Sequence, residues 1–328
     1  MDDAPGGSER TVSLALISRD YYDCSPVTLL LSIFANDVLP IFMVAGVGFA
    51  IARVLKADVR TLSRVTFNAM SPCLVFHLLV TSSLSAADFG RMMALAIVVV
   101  VGIGLIARLV TLPFGLDRAM TSAFLIVVMF SNSGNYGLPV VLFAFGREAL
   151  AHATVYFVTN AVAIYTLGVF LASAGRRSVG QAARGVLKVP AVWGVIAAGA
   201  VMGFGLHLPP AFMRPVELLS GAALPTMILV LGMQLERGAW PERPGLVVLA
   251  GVLALVVTPL LALGAGKVLG LTGVARQAAI VQAGMPSAVL TTILALEFDV
   301  APSFVTACVL VSTLASPVTV TLLIAAVQ

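Results

Sequence analysis

Apolar residues fill most of this chain in runs of 17 to 27 residues, separated by short polar stretches. The runs fall at 38–54, 65–82, 92–112, 119–145 and 153–174, and again at 191–208, 216–235, 246–269, 275–296 and 304–327. About 20 helical residues rising 1.5 Å each cover the ~30 Å hydrocarbon core of a bilayer. The pattern therefore predicts ten transmembrane helices, the first and sixth short; the apolar stretch 27–35 offers the first an earlier start. The polar residues 1–36 read as a poorly ordered tail, with an apolar segment (12–17) too short for a signal-peptide core. The remainder divides into a repeat at 37–174, a linker at 175–188 and a second repeat at 189–328.

Two of the ten runs are interrupted in the same manner. One reads Phe130-Ser131-Asn132-Ser133-Gly134-Asn135-Tyr136-Gly137-Leu138-Pro139; the other reads Gln282-Ala283-Gly284-Met285-Pro286-Ser287-Ala288. Irregular backbone at membrane depth is tolerated only where it is buried in protein or lines a cavity. A matched pair of such breaks in two halves of a chain points to a transporter's binding site. Prolines keep a similar order and offset in the halves: Pro40 with Pro190, Pro72 with Pro225, Pro113 with Pro259, Pro139 with Pro286. That order suggests a duplication. Five helices per half would turn the second half upside down, giving inverted repeats with discontinuous fourth and ninth helices that cross.

Composition agrees. The chain is 60% hydrophobic and 10% charged, with mean hydropathy +1.07, against about 25% charged in soluble domains. This excludes a soluble globular class. The net charge of +4 reports topology and implies no nucleic-acid partner, because the basic residues sit in short loops. Twelve of the 19 Lys and Arg residues follow odd-numbered runs, which places those loops in the cytoplasm and both termini outside. The three cysteines are scattered and suggest neither disulfide nor metal site. No nucleotide loop, metal-ligand cluster or catalytic grouping is legible, so neither an enzyme nor an ATP-driven pump is expected.

The breaks suggest a specific chemistry. Proline suits the first position of a helix, so Pro139 and Pro286 are each expected to restart a half-helix. Two N-termini would then face one cavity, each with free N–H groups and partial positive charge. Such a seat favours an anion, most simply a carboxylate. Asn132, Ser133, Asn135, Tyr136, Gln282 and Ser287 would add donors, while Gly137 and Gly284 would let backbone approach the ligand. No Lys or Arg lies in mid-run, so recognition would rest on neutral groups. His77 is open as a proton-coupling group or a packing residue. Asn68 and Asn160 are each open as cavity-lining or helix-bridging amides. Asp37, Glu297 and Asp299 read as interfacial charges, and the Gly199–Gly203 spacing as a close-packing or dimerisation stripe.

Pro40, Pro72-Cys73-Leu74-Val75-Phe76, the 131–139 element, Ala223-Leu224-Pro225 through Gly232, and Gly284-Met285-Pro286 resemble the auxin efflux carrier family. Its bacterial members are described as malate or malonate permeases, and its plant members export auxin. The resemblance implies an all-α secondary transporter, and a homodimer, with crossed helices four and nine. It implies a bundle of helices three to five and eight to ten rocking against a scaffold of one, two, six and seven. It also implies carboxylate binding near the crossing prolines through Asn132 and Asn160. Related folds hold sodium near the crossing, which makes Ser131, Asn132 and Gln282 candidate sodium ligands; no other cofactor is implied. A membrane sensor binding a similar ligand is the alternative.

Overall fold

A computed structural model describes residues 25–173, 186–236 and 241–328. Every extended element among them is helical. In chain order they are α1 (Pro26–Leu55), α2 (59–81), α3 (Ala86–Phe114), α4 (Arg118–Met129), α5 (133–145) and α6 (147–172). They continue as α7 (Pro190–Gly203), α8 (Pro210–Leu235), α9 (Pro244–Val268), α10 (Gly273–Ala283), α11 (Leu290–Phe298) and α12 (Pro302–Val327). Among the described residues, six helical stretches are long and apolar enough to cross a membrane: α1, α3, α5 with α6, α8, α9 and α12. Helices α4 and α7 are shorter and also apolar. The chain is an all-α, multi-pass membrane protein.

Local sequence explains where helices start. Ser25, Asp58, Ser85 and Asp117 cap α1 to α4, each side-chain oxygen accepting from a backbone N–H of the first turn. Helices α1, α7, α8, α9 and α12 open on proline, which has no N–H to lose there. The start of α1 corrects the expected tail: 26–36 are helix continuous with the first span. Residues 1–24 and most of the 175–188 linker lie outside the described residues.

Four internal prolines share a role that the pattern of runs did not reveal. Pro40, Pro72, Pro139 and Pro259 each stand two residues after a π-helical turn: Phe34–Val38, Thr66–Met70, Ser133–Gly137 and Leu253–Val257. Proline cannot donate to the carbonyl four residues back, and its ring collides with it. One extra residue in the preceding turn relieves the conflict. The residue before each proline then donates five back, as from Leu39 to Phe34 and from Leu138 to Ser133. The expected proline pairing does not survive, because Pro190 starts a helix, Pro225 lies inside one and Pro286 lies in a break.

Packing supports a duplication on other grounds. Helix α1 lies mainly on α8, and α2 on α7, an exchange that maps onto itself when the first two helices of each half are superposed. Gly48 and Gly232 make the α1–α8 contact close: an added Cβ on either would strike the backbone of Leu229 or Ala45. Gly199 and Gly203, the expected stripe, meet nothing within 4 Å among the described residues. Helices α3 to α6 and α9 to α12 form a second group, in which α3, α4, α6, α9, α11 and α12 share an apolar core from Val100 and Phe124 to Phe304 and Cys308, while α5 and α10 join the larger core that also takes in α1, α2, α7 and α8. The groups touch where α8 packs on the Ser133–Gly137 turn and where Phe42 of α1 meets Tyr136 edge to face at 5.7 Å. Between α5 and α6 the chain turns at Gly146, whose φ of 80° and ψ of −169° fall in a region open essentially to glycine alone.

Candidate functional site

The two interrupted segments run antiparallel against each other. Helix α4 ends at Met129, and 130–132 are non-helical before α5 begins at Ser133; α10 ends at Ala283, and the chain does not resume helix until Leu290. Ser131 and Ser287 face one another in an antiparallel bridge. The Asn132 N–H donates to the Pro286 carbonyl at 2.7 Å, and the Ala288 N–H donates to the Phe130 carbonyl at 2.8 Å. Backbone groups freed by each break are thereby satisfied by the other, which is what a low-dielectric interior requires. The two bonds are images of one another under a two-fold axis through the bridge. That axis pairs 131 with 287, whereas the proline offset paired 139 with 286.

Neither proline restarts a half-helix. Pro139 follows the π turn that opens α5, six residues after its start, and Pro286 spends its carbonyl on Asn132 within the break. The helix starts differ as well. The first N–H groups of α5 lack helical partners, as at any helix start. In α11 the N–H groups of Thr291 and Thr292 donate to the Ala288 and Val289 carbonyls. The anticipated pair of N-termini is reduced to one open start, at Ser133.

Side chains complete the crossing. Asn160 on α6 donates through Nδ2 to the Ser131 carbonyl at 2.8 Å and to Ser133 Oγ at 2.9 Å. Gln282 reaches from α10 to the Ala153 carbonyl at 3.4 Å. Gly137 backs onto the Gln282 carboxamide so closely that a Cβ would overlap its Oε1, and Gly284 backs onto Leu323 and Pro259. Ser287 is committed to structure: its hydroxyl donates to the Val127 carbonyl in the last turn of α4 (2.7 Å), and its N–H donates to Ser312 Oγ (3.2 Å). Ser316 donates to the Tyr136 hydroxyl at 3.2 Å.

What remains unpaired is informative. Asn132 Nδ2, Asn135 Oδ1, Asn160 Oδ1 and Gln282 Oε1 are buried without a hydrogen-bond partner. The Ser131 hydroxyl lies beside the buried Tyr156 phenol but completes no hydrogen bond. Each such group costs about 1–3 kcal/mol, and buried polar groups are rarely left this way. Five of the nine such atoms among the described residues lie at this one crossing. In this conformation the crossing is shut: Gln282 and Tyr136 are wholly buried, and Asn132 is 6% exposed. Two cavities of about 370 and 390 Å³ lie elsewhere, where α1 ends, α2 begins and α8 ends.

Other expected residues lie elsewhere. Asn68 is exposed and donates to the Arg64 carbonyl one turn back, so it lines no cavity. His77 sits on α2, which packs mainly on α7 and α8 and also touches the α5–α6 segment; its Nδ1 is buried and unpaired. Ser312, Ser316 and Tyr156 were not anticipated. The sequence signal for the serines is their spacing of four in an apolar run, which sets both on one face of α12.

Two stretches, residues 33–182 and 175–324, match the model of a family described as membrane transport protein. The chain belongs to this family. The two matches, one on each half, agree with an internal duplication. Among similar proteins, an uncharacterized transporter of Methanothermobacter thermautotrophicus is 29% identical over 299 residues, covering 88% of this chain and 96% of the relative. An uncharacterized transporter of Methanocaldococcus jannaschii is 23% identical over 288 residues, covering 84% and 92% respectively. The protein is thus a membrane transport protein of the auxin efflux carrier family, with no substrate specified by these relatives.

Proposed function

We propose that this transporter carries small organic anions, mono- or dicarboxylates, bound at the crossing of the two broken helices. The observation that carries the reading is the set of unpaired amide atoms on Asn132, Asn135, Asn160 and Gln282 beside the open helix start at Ser133. A carboxylate there would accept from the Asn132 amide and from the N–H groups of the first α5 turn, aided by the helix dipole. The Asn160 and Gln282 nitrogens are already held by acceptors, so those two amides offer oxygen rather than a further donor.

The architecture that goes with this reading has ten spans in two inverted repeats, the broken ones being α4 with α5 and α10 with α11. The α3–α6 and α9–α12 group would slide past α1, α2, α7 and α8, opening the crossing to alternate sides. The protein would work as a homodimer, with the arginine-rich loops in the cytoplasm. Three of the unpaired atoms at the crossing are carbonyl oxygens. Oxygen-rich sites suit hard cations, and this favours a sodium ion entering with the anion. The sensor alternative would leave the ligand bound without net movement.

Counterflow of labelled carboxylates into proteoliposomes tests the proposal. The Asn132→Ala and Pro286→Ala variants should lose exchange while remaining folded. Full exchange in both would remove the crossing as the site, and binding without counterflow in the unaltered protein would favour the sensor. Imposed sodium and proton gradients then separate the coupling ions.

A further inference from the structure

A second site lies far from the crossing, where α1 ends and α2 begins. A cavity of about 370 Å³ is bounded by Arg53, Lys56, Val59 and Glu236. Arg53 Nη1 stands 3.4 Å from Glu236 Oε1, and the Arg53 side chain is 69% exposed. Lys56 ends α1 with φ of 51° and has no ion-pair partner among the described residues. Arg60 and Arg64, both exposed on α2, add to the same end of the molecule. Sharing Ala57 with this cavity is a second one of about 390 Å³. Its walls are mainly apolar: Ile51, Leu62, Val65, Leu229 and Met233, from three different helices. Val54 and Leu55, beside the basic pair, are more than 70% exposed.

A basic hollow joined to an apolar groove at the end of membrane helices has the two-part chemistry of one ligand class. We propose that this is a binding site for an anionic phospholipid, with its phosphate on Arg53 and Lys56 and an acyl chain along the Ile51–Met233 groove. Glu236 holds the Arg53 guanidinium over the hollow while Lys56 supplies the uncompensated charge. Basic pockets between membrane helices recognise acidic headgroups in this way. Because α8 carries both Glu236 and the groove residues Leu229 and Met233, an occupying lipid would fasten α1, α2 and α8 together at one membrane surface. The site does not depend on what the crossing carries.

The test uses the full chain in neutral detergent, with thermal unfolding and native mass spectrometry after adding phosphatidylglycerol or phosphatidylcholine. Phosphatidylglycerol should raise the unfolding temperature and stay bound through detergent removal, whereas phosphatidylcholine should do neither. Arg53→Ala/Lys56→Ala should cut that preference by roughly tenfold or more, and Glu236→Gln, which keeps both cations, should retain it. Equal shifts with the two lipids, or an unchanged preference in the double variant, would overturn the proposal. So would an equal shift produced by inorganic phosphate or glycerol phosphate alone, since that would make the ligand a soluble anion. Substrate counterflow scores the crossing separately.

Discussion

Gly137 on α5 sits directly against the carboxamide of Gln282 on α10, leaving no room for a methyl group between the two broken helices. Gly137→Ala should therefore force the Gln282 side chain aside at a cost of about 1–3 kcal/mol, the usual range for overpacking. The strain should lower the unfolding temperature. Adding Gln282→Ala should return most of the loss, giving a coupling energy in a double-mutant cycle that distant pairs do not show. Additive effects would remove the contact.

Asn160 and Ser287 make opposite predictions although both lie at the crossing. Asn160→Ala strips the donor from the buried Ser131 carbonyl and Ser133 hydroxyl and also deletes an unpaired oxygen. It should cost about 1–3 kcal/mol in stability and abolish counterflow.

Ser287→Ala removes a hydroxyl already committed to Val127. Stability should fall by about 1 kcal/mol, with apparent substrate affinity unchanged. A large rise in apparent KM for Ser287→Ala would place that hydroxyl among the ligand contacts.

Pro139 tests the π turn. With Pro139→Ala the clash that favours the wide turn disappears, and Ser133–Gly137 can tighten to an ordinary α turn, rotating Asn135 away from its present direction. Counterflow should drop by an order of magnitude or more, with the unfolding temperature unchanged or raised, since a helix interior gains up to about 3 kcal/mol of propensity when alanine replaces proline. Unaltered counterflow would show that the turn does not set the position of Asn135.

Ser316 and Tyr136 carry a bond within the crossing group, and Phe42 with Tyr136 carries one of the contacts between the two groups. Tyr136→Phe deletes only the first, for about 0.5–1.5 kcal/mol. Phe42→Ala deletes the second and should raise the labelling rate of a cysteine placed at Asn135 by thiol reagents, because the closed arrangement loses a joint. Equal labelling in both variants would argue against Phe42–Tyr136 as that joint.

The interruptions were legible because Asn-Ser-Gly-Asn-Tyr-Gly-Leu-Pro has no reason to stand in an apolar run unless its backbone is used. Their partnership was legible from position alone. The details were not. Pro139 and Pro286 look alike in sequence, but the first follows an added residue in a helical turn and the second sits in extended chain. That difference arises from what each packs against. Asn68 and Asn160 are the same residue type in similar apolar runs, yet one faces outward and the other bridges to Ser131. A helix with apolar residues on every side gives no sequence signal of which face is inward. Ser287 seemed a ligand donor because its chemistry permits it, and only the nearby Val127 carbonyl reveals that the hydroxyl is occupied.

The paired bonds from Asn132 to Pro286 and from Ala288 to Phe130 are made entirely by main-chain atoms. Apart from a proline placed at 132 or 288, no side-chain exchange deletes either of them. The junction between the two broken helices is thus insulated from genetic drift, while the amides around it stay free to vary. Chains with this scaffold can exchange those amides one residue at a time and keep the junction intact.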